Sequence, residues 1–275
     1  MALFERLFTT PELVPFLYLF AGVFALGLGS FTTALVYRLP RGLSVVRNTN
    51  KSASRSACPA CKKILGVLDL IPFFSWILMR GKCRHCSEKI PLMYPIVEGA
   101  TFILCMASLW WFGLTGIGLS LFLLMPVLVA IIAIDAEHMI IPDILNISIA
   151  VILAVTLFVF SFETLSRHIQ GWATDALIGA VSFAVVAYGF RKYFTWRKQV
   201  EAMGLGDVKF FAAAGAWLGI AQLPYFMLYG GVFGVIYALL TRKFSKNSQF
   251  PFGPALVLAF LVLIFEKKVI FLTLS

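Results

Sequence analysis

Two aspartates stand where carboxylates are expensive. Asp135 closes the apolar run LLMPVLVAIIAI, and Asp207 opens another behind Gly204, Leu205 and Gly206. Ionisable groups in or against a hydrocarbon core are costly and by default mark functional positions. Two carboxylates brought together cannot both ionise easily, so a pair in contact shares one proton. One member then acts as general base on water and the other as general acid to a carbonyl. That is aspartic-protease chemistry, and it needs no metal.

Other readings of the same acids stand beside this one. Asp207 sits where a helix cap is expected, whereas Asp135 follows its apolar run with no capping reason. Asp143 follows Pro142 and precedes an apolar stretch, which suits an N-cap. Asp175 and Glu98 fall near the ends of predicted spans; Asp175 reads as structural, and Glu98 is left open. Asp135, His138, Asp143 and Asp207 together have donor types that suit a hard or borderline metal.

A second group points to metal directly. Cys58-Pro-Ala-Cys61 and Cys83-Arg-His-Cys86 are separated by 21 residues. Two such pairs at this distance match a tetrahedral Zn2+ site with Cys58, Cys61, Cys83 and Cys86 as ligands. Their basic, reducing-side loop argues against disulfides, and free or redox-active thiols are the alternative. Lys62, Lys82 and Arg84 favour thiolate formation. The metal is expected to be structural, a clamp for a loop with little core of its own. His85 reads as a surface residue and Cys105 as packing.

The elements that must carry these groups are apolar helices. Of the 275 residues, 60% are hydrophobic and 13% charged, with a mean hydropathy of +0.92. A soluble domain is nearer half apolar and a quarter charged. A helix needs roughly 20 apolar residues to cross a bilayer core. Eight segments qualify or nearly so: about 14–37, 94–113, 118–135, 143–161, 172–190, 208–222, 224–241 and 252–270. The sixth is short, and the last is interrupted by Glu266, Lys267 and Lys268. The first run, from near Val14, is long enough to remain as a span, so no cleavable signal is expected.

Lys and Arg mark the cytoplasmic side. Loop 39–92 carries Arg41, Arg47, Lys51, Arg55, Lys62, Lys63, Arg80, Lys82, Arg84 and Lys89 against Asp69 and Glu88. Loop 191–206 adds Arg191, Lys192, Arg197 and Lys198, and loop 242–250 adds Arg242, Lys243 and Lys246. Eight spans put all three loops on one face and the N-terminus outside. The opposite side holds little beyond Arg6, Arg167, Lys267 and Lys268. The net charge of +10 is thus topology, and nucleic acid is not an expected partner; membrane lipid is. Asp135 and Asp207 then reach the basic face at similar depth. The fold expected is an all-α polytopic membrane protein of about eight transmembrane helices with a small zinc-binding cytoplasmic domain. Its parts are a first transmembrane helix (1–38), a four-cysteine domain (39–92) and a multi-pass peptidase domain (93–275).

The stretches GSFTTALVYRLP (29–40), RSACPACKKILGVLDLIPFFSWILMRGKCRHC (55–86), YPIVE (94–98), DAEHMIIPD (135–143), GLGDVK (204–209) and PFGPAL (251–256) stand in this order along the chain. Through them the chain resembles the bacterial type IV prepilin peptidases. The order and spacing of these stretches are highly specific. The resemblance implies that Asp135 and Asp207 are the catalytic pair. It also implies cleavage of a basic leader from type IV prepilins or type II secretion pseudopilins at the cytoplasmic face of the inner membrane. Many members then methylate the new N-terminal amine with S-adenosylmethionine. Two positions depart: Thr32-Thr33-Ala34 replaces a motif that commonly contains Asn, and Met93 stands where Arg is frequent. Both lie in the part associated with methylation, so a peptidase alone is an alternative. A presenilin-like intramembrane protease and a zinc-clamped scaffold are the others.

Two further expectations concern the loop before Asp207. Gly204 and Gly206 lack a Cβ and would let an extended substrate backbone approach the carboxylate. A helix N-terminus at Asp207 would favour its charged form, making it the base and Asp135 the proton carrier.

Overall fold

The computed structural model describes residues 11–43, 58, 60–64, 66, 72–163, 167–198, 203–241 and 250–273. Arg6, Arg47, Lys51, Arg55, Asp69, Arg242, Lys243 and Lys246 lie outside them, as do the side chains of Arg167, Lys267 and Lys268.

The elements run α1 (Val14–Arg38), the short α2 (Phe74–Leu78), α3 (Met93–Phe112), α4 (Gly116–His138), α5 (Asp143–Glu163), α6 (Arg167–Lys198), α7 (Leu205–Leu218), α8 (Leu223–Thr241) and α9 (Gly253–Thr273). No strand occurs among the described residues. Each of the eight apolar segments is a helix. Five are long and apolar enough to cross a membrane: Val14–Arg41, Met93–Phe112, Gly116–His138, Ala173–Arg197 and Ile220–Thr241. Asp143–Phe158 and Gly253–Glu266 are shorter apolar helices. The sixth segment is the weakest span: α7 has 14 residues, which reach about 21 Å against a core of about 30 Å. The protein is an all-α, multi-pass membrane protein.

The chain forms two compact units, residues 1–114 with 121–130 and residues 115–120 with 131–275. In the first, α1 packs on α3 where Gly29 brings the backbones together. A Cβ at Gly29 would lie 3.0 Å from the Glu98 carbonyl oxygen. Phe24 stacks on Phe122 with centroids 6.1 Å apart, and the Tyr18 hydroxyl donates to the Leu109 carbonyl at 3.1 Å. Cys105 is fully buried and its thiol donates to the Phe122 carbonyl, a packing role as expected. Glu98 acquires a part: its carboxylate accepts the Phe73 backbone N–H at 2.7 Å. Phe73 has φ +61° and centres a tight turn closed by the Phe74 N–H on the Pro72 carbonyl at 2.6 Å. The α3 carboxylate thus holds a strained turn just ahead of α2.

The second unit is built around α7. Gly215 lets α6 approach it closely, since a Cβ there would meet the Phe183 ring at 2.6 Å. Phe183, Phe211 and Phe226 form a buried aromatic cluster, with centroids 5.3 Å apart for Phe183–Phe226 and 4.9 Å for Phe211–Phe226. Phe210 packs edge-on against Phe260 of α9. Each buried aromatic ring contributes a large apolar contact area. Together they fix the short helix that carries Asp207.

Candidate active site and cysteine cluster

Asp135 lies in the last turn of α4 and is 4% exposed. Met139 ends that helix in the left-handed region (φ +55°), its N–H bonding the Asp135 carbonyl at 2.9 Å. The chain turns there and runs through Ile140–Pro142 into α5. The Asp135 carboxylate accepts the Gly253 backbone N–H at 2.7 Å. This N–H lies at the start of α9, where helical donors lack partners within the helix. Glycine is required at that position: a Cβ would fall 2.7 Å from Asp135 Oδ2.

Asp207 is the third residue of α7 and partly exposed. Its carboxylate accepts the Gly204 N–H at 3.1 Å. This is the return half of a capping box; glycine has no side chain to supply the other half. The cap expected from the sequence therefore exists, with Asp207 inside the first turn rather than ahead of it. Two carboxylates remote in sequence thus lie in one unit, each held by a backbone N–H at a helix start.

Gly206 has a different job from the one expected. A Cβ on Gly206 would meet the Ile141 carbonyl oxygen at 3.0 Å and its Cβ at 3.1 Å. That space is filled by the protein's own α4–α5 connection, so it is not a path for substrate. Gly204 has φ −68° and ψ 156°, open to any residue type. The first turn of α5, just beyond that connection, grips α7 twice more. Asn146 Nδ2 donates to the Gly206 carbonyl at 3.3 Å, and Lys209 Nζ pairs with Asp143 at 2.6 Å.

Asp143 begins α5, and its carboxylate is held by Lys209. The set Asp135, His138, Asp143 and Asp207 is not gathered as a metal site. Among the described residues the one such grouping is the four cysteines. Asp175 is exposed. Residues missed from sequence are Gly253 and Asn146. The PFGPAL stretch, with glycine between Phe252 and Pro254 at a helix start, was the available signal for Gly253.

The cysteines belong to the first unit. The two pairs fold into the same turn. Cys58 N–H bonds the Lys63 carbonyl and Lys62 N–H the Cys58 carbonyl, at 3.0 and 2.9 Å. Cys83 N–H bonds the Glu88 carbonyl and Ser87 N–H the Cys83 carbonyl, at 2.8 and 2.9 Å. Lys62 and Ser87, each four residues after the first cysteine, both have positive φ. Trp76 braces the second turn, its ring against Gly81 and its Nε1 donating to the Ile90 carbonyl at 3.1 Å.

All four sulfurs lie within 4.8 Å of one another, with Cys58 and Cys86 at 3.8 Å. A tetrahedron with metal–sulfur bonds of about 2.3 Å has edges of about 3.8 Å, so the set fits Zn2+. The Cys61 backbone N–H brings the Cys58 thiol down to about 7 despite burial. At Cys86, which is exposed, the Glu88 N–H favours the thiolate, but partial desolvation and the neighbouring sulfurs push the thiol up to about 12. Thiols this close resist joint ionisation until a cation neutralises them. His85 is exposed and takes no part.

Thr32 and Thr33, at the departures noted above, bond carbonyls of α1, and Thr33 also reaches the Glu98 carboxylate. Their hydroxyls donate to Leu28 and Ser30 carbonyls at 2.8 and 2.7 Å.

Fold and site define a multi-pass helical membrane protein with a carboxylate pair at helix ends and a separate four-cysteine cluster. Residues 23–112 match the bacterial peptidase A24 N-terminal domain, and residues 122–239 match the type IV leader peptidase family. A type 4 prepilin-like proteins leader peptide-processing enzyme of Escherichia coli O78:H11 is 32% identical, over 93% of this chain and 95% of its own length. Prepilin leader peptidase/N-methyltransferases of Vibrio cholerae and Neisseria gonorrhoeae are 29% and 31% identical, over 92% and 90% of this chain and 98% and 90% of theirs. No solved structure matches the chain. The chain belongs to the type IV leader peptidase family.

Proposed function

We propose that this membrane peptidase works by an aspartic mechanism, with Asp135 and Asp207 as its catalytic pair. The observation that carries the reading is that the chain leaving Asp135 packs through Ile141 on Gly206, next to Asp207, with each carboxylate held by a backbone N–H at a helix start. The pair holds one proton between them. One carboxylate takes a proton from water as its oxygen attacks the scissile carbonyl, and the other protonates the carbonyl oxygen. Collapse of the tetrahedral intermediate breaks the C–N bond, and the released amine takes a proton from the pair. The fixed N–H donors keep both oxygens in place through the cycle.

The substrates we assign are type IV prepilins and type II secretion pseudopilins, cleaved at the cytoplasmic face of the inner membrane. The names of the relatives support this class. They also support N-methylation of the released N-terminus, for which S-adenosylmethionine would supply the methyl group. The Thr32 hydroxyl bonds the Leu28 carbonyl within α1, whereas the Thr33 hydroxyl has both the Ser30 carbonyl and the Glu98 carboxylate in reach. Cys58, Cys61, Cys83 and Cys86 are assigned to a structural Zn2+ that holds the loop between α1 and α3. Mass spectrometry of a prepilin co-expressed with the chain tests both activities at once. A shortened product carrying one added methyl group is expected. An uncleaved prepilin would contradict the peptidase reading, and a cleaved but unmethylated one the methylation.

A further inference from the structure

We propose that Asn146 is a positioning residue for Asp207, acting through the Gly206 carbonyl without touching the substrate. The proposal rests on the reading of Asp207 as catalytic. Asn146 sits in the first turn of α5 and is 6% exposed. Its Nδ2 donates to the Gly206 carbonyl at 3.3 Å. That carbonyl belongs to the peptide unit leading into Asp207, so the bond fixes the plane from which the catalytic side chain projects.

The other restraint on Asp207, the Gly204 N–H, comes from its own turn. It sets the carboxylate relative to α7 but not relative to the chain that leaves Asp135. Three contacts make that second link. Ile141 packs on Gly206, Lys209 pairs with Asp143 at the surface, and Asn146 bonds from the interior. The ion pair is half-exposed on both sides and so holds position weakly. The amide is the buried polar tie.

The opposite end of the amide shows what it is kept for. Asn146 Oδ1 is closed to solvent and has no hydrogen-bond partner among the described residues. A buried acceptor without a partner lowers stability. An apolar side chain of similar size would remove that penalty, so the fold does not call for asparagine here. The donor does. Sites that trade stability for geometry in this way are a recurring mark of catalysis.

Asn146→Leu and Asn146→Asp in the full chain, in detergent, separate the roles. Leucine removes donor and acceptor, while aspartate, assayed at a pH where it is ionised, keeps the size and the acceptor but not the donor. We expect kcat for a prepilin peptide to fall by about 100-fold in both, as for a small displacement of a reacting group, with KM unchanged. The Tm of Asn146→Leu should equal or exceed that of the parent. Parental kcat in either variant, or a drop in Tm that accompanies the loss in Asn146→Leu, would overturn the proposal. Asp207→Asn distinguishes the two levels. If it is active, the reading beneath the proposal fails; if it is inactive beside an active Asn146→Leu, only the role of Asn146 does.

Discussion

The Gly253 backbone N–H donates to Asp135 Oδ2 at 2.7 Å, so the residue that opens α9 fixes the carboxylate that ends α4. The contact leaves no room for a side chain, because a Cβ on Gly253 would lie 2.9 Å from Asp135 Cγ. Gly253→Ala must therefore displace the carboxylate or the start of α9. We predict a loss of about 100-fold in kcat with helix content retained, read by peptide cleavage and circular dichroism. Parental kcat would show that the carboxylate does not need this anchor.

Gly206→Ala tests the other side of the pair. Its new methyl would press on the Ile141 backbone at 3.0 Å, and backbone yields less readily than a side-chain tip. Overpacking of this kind typically costs about 1–3 kcal/mol. The expected result is a lower Tm together with lower kcat, because the displaced segment carries Asp207. A Gly204→Ala control should cost less, because φ −68° suits alanine and no backbone crowds the position, leaving only the poorer N-cap.

Asp143 and Lys209 are set apart from the chemistry. Their pair is half-exposed on both sides, and such pairs contribute about 0–1 kcal/mol. Asp143→Asn should move the Tm little and keep most of the cleavage activity, and chelators should leave the carboxylate chemistry intact. Loss of cleavage in Asp143→Asn as deep as in Asp207→Asn would add Asp143 to the proposed catalytic pair.

The cysteine cluster makes its own prediction. Elemental analysis of purified protein should find about one Zn2+ per chain, and Cys83→Ser should abolish retention of it. Limited proteolysis should then cut the loop between α1 and α3 faster. A metal-free parent with a protease-resistant loop would remove the clamp.

The helices and both candidate sites were legible because membrane burial writes itself into composition. An apolar run interrupted by a single Asp, or a pair of C-x-x-C turns, has few cheap structural explanations. The contacts were not legible. Gly206 looked like an opening for substrate, yet Ile141 fills the space, and nothing in a one-dimensional pattern says which chain will occupy the room beside a glycine. Gly253 and Asn146 escaped notice for the same reason: each acts through one backbone group on a partner far away in sequence. Asp143 suited a helix start, but its pairing with Lys209 depends on how α5 and α7 meet. The short α7 fell below span length because its position comes from the Phe183, Phe211 and Phe226 cluster rather than from its own length.

The central claim is that Asp135 and Asp207 work as one unit. Its most direct test is prepilin cleavage, followed by mass spectrometry, by Asp135→Asn, Asp207→Asn and the double variant in purified full-length protein. Removing one member of an acid–base pair is expected to lower the rate by at least about 100-fold. The double variant should be no slower than either single one, with Tm maintained in all three. Parental cleavage by either single variant would contradict the account.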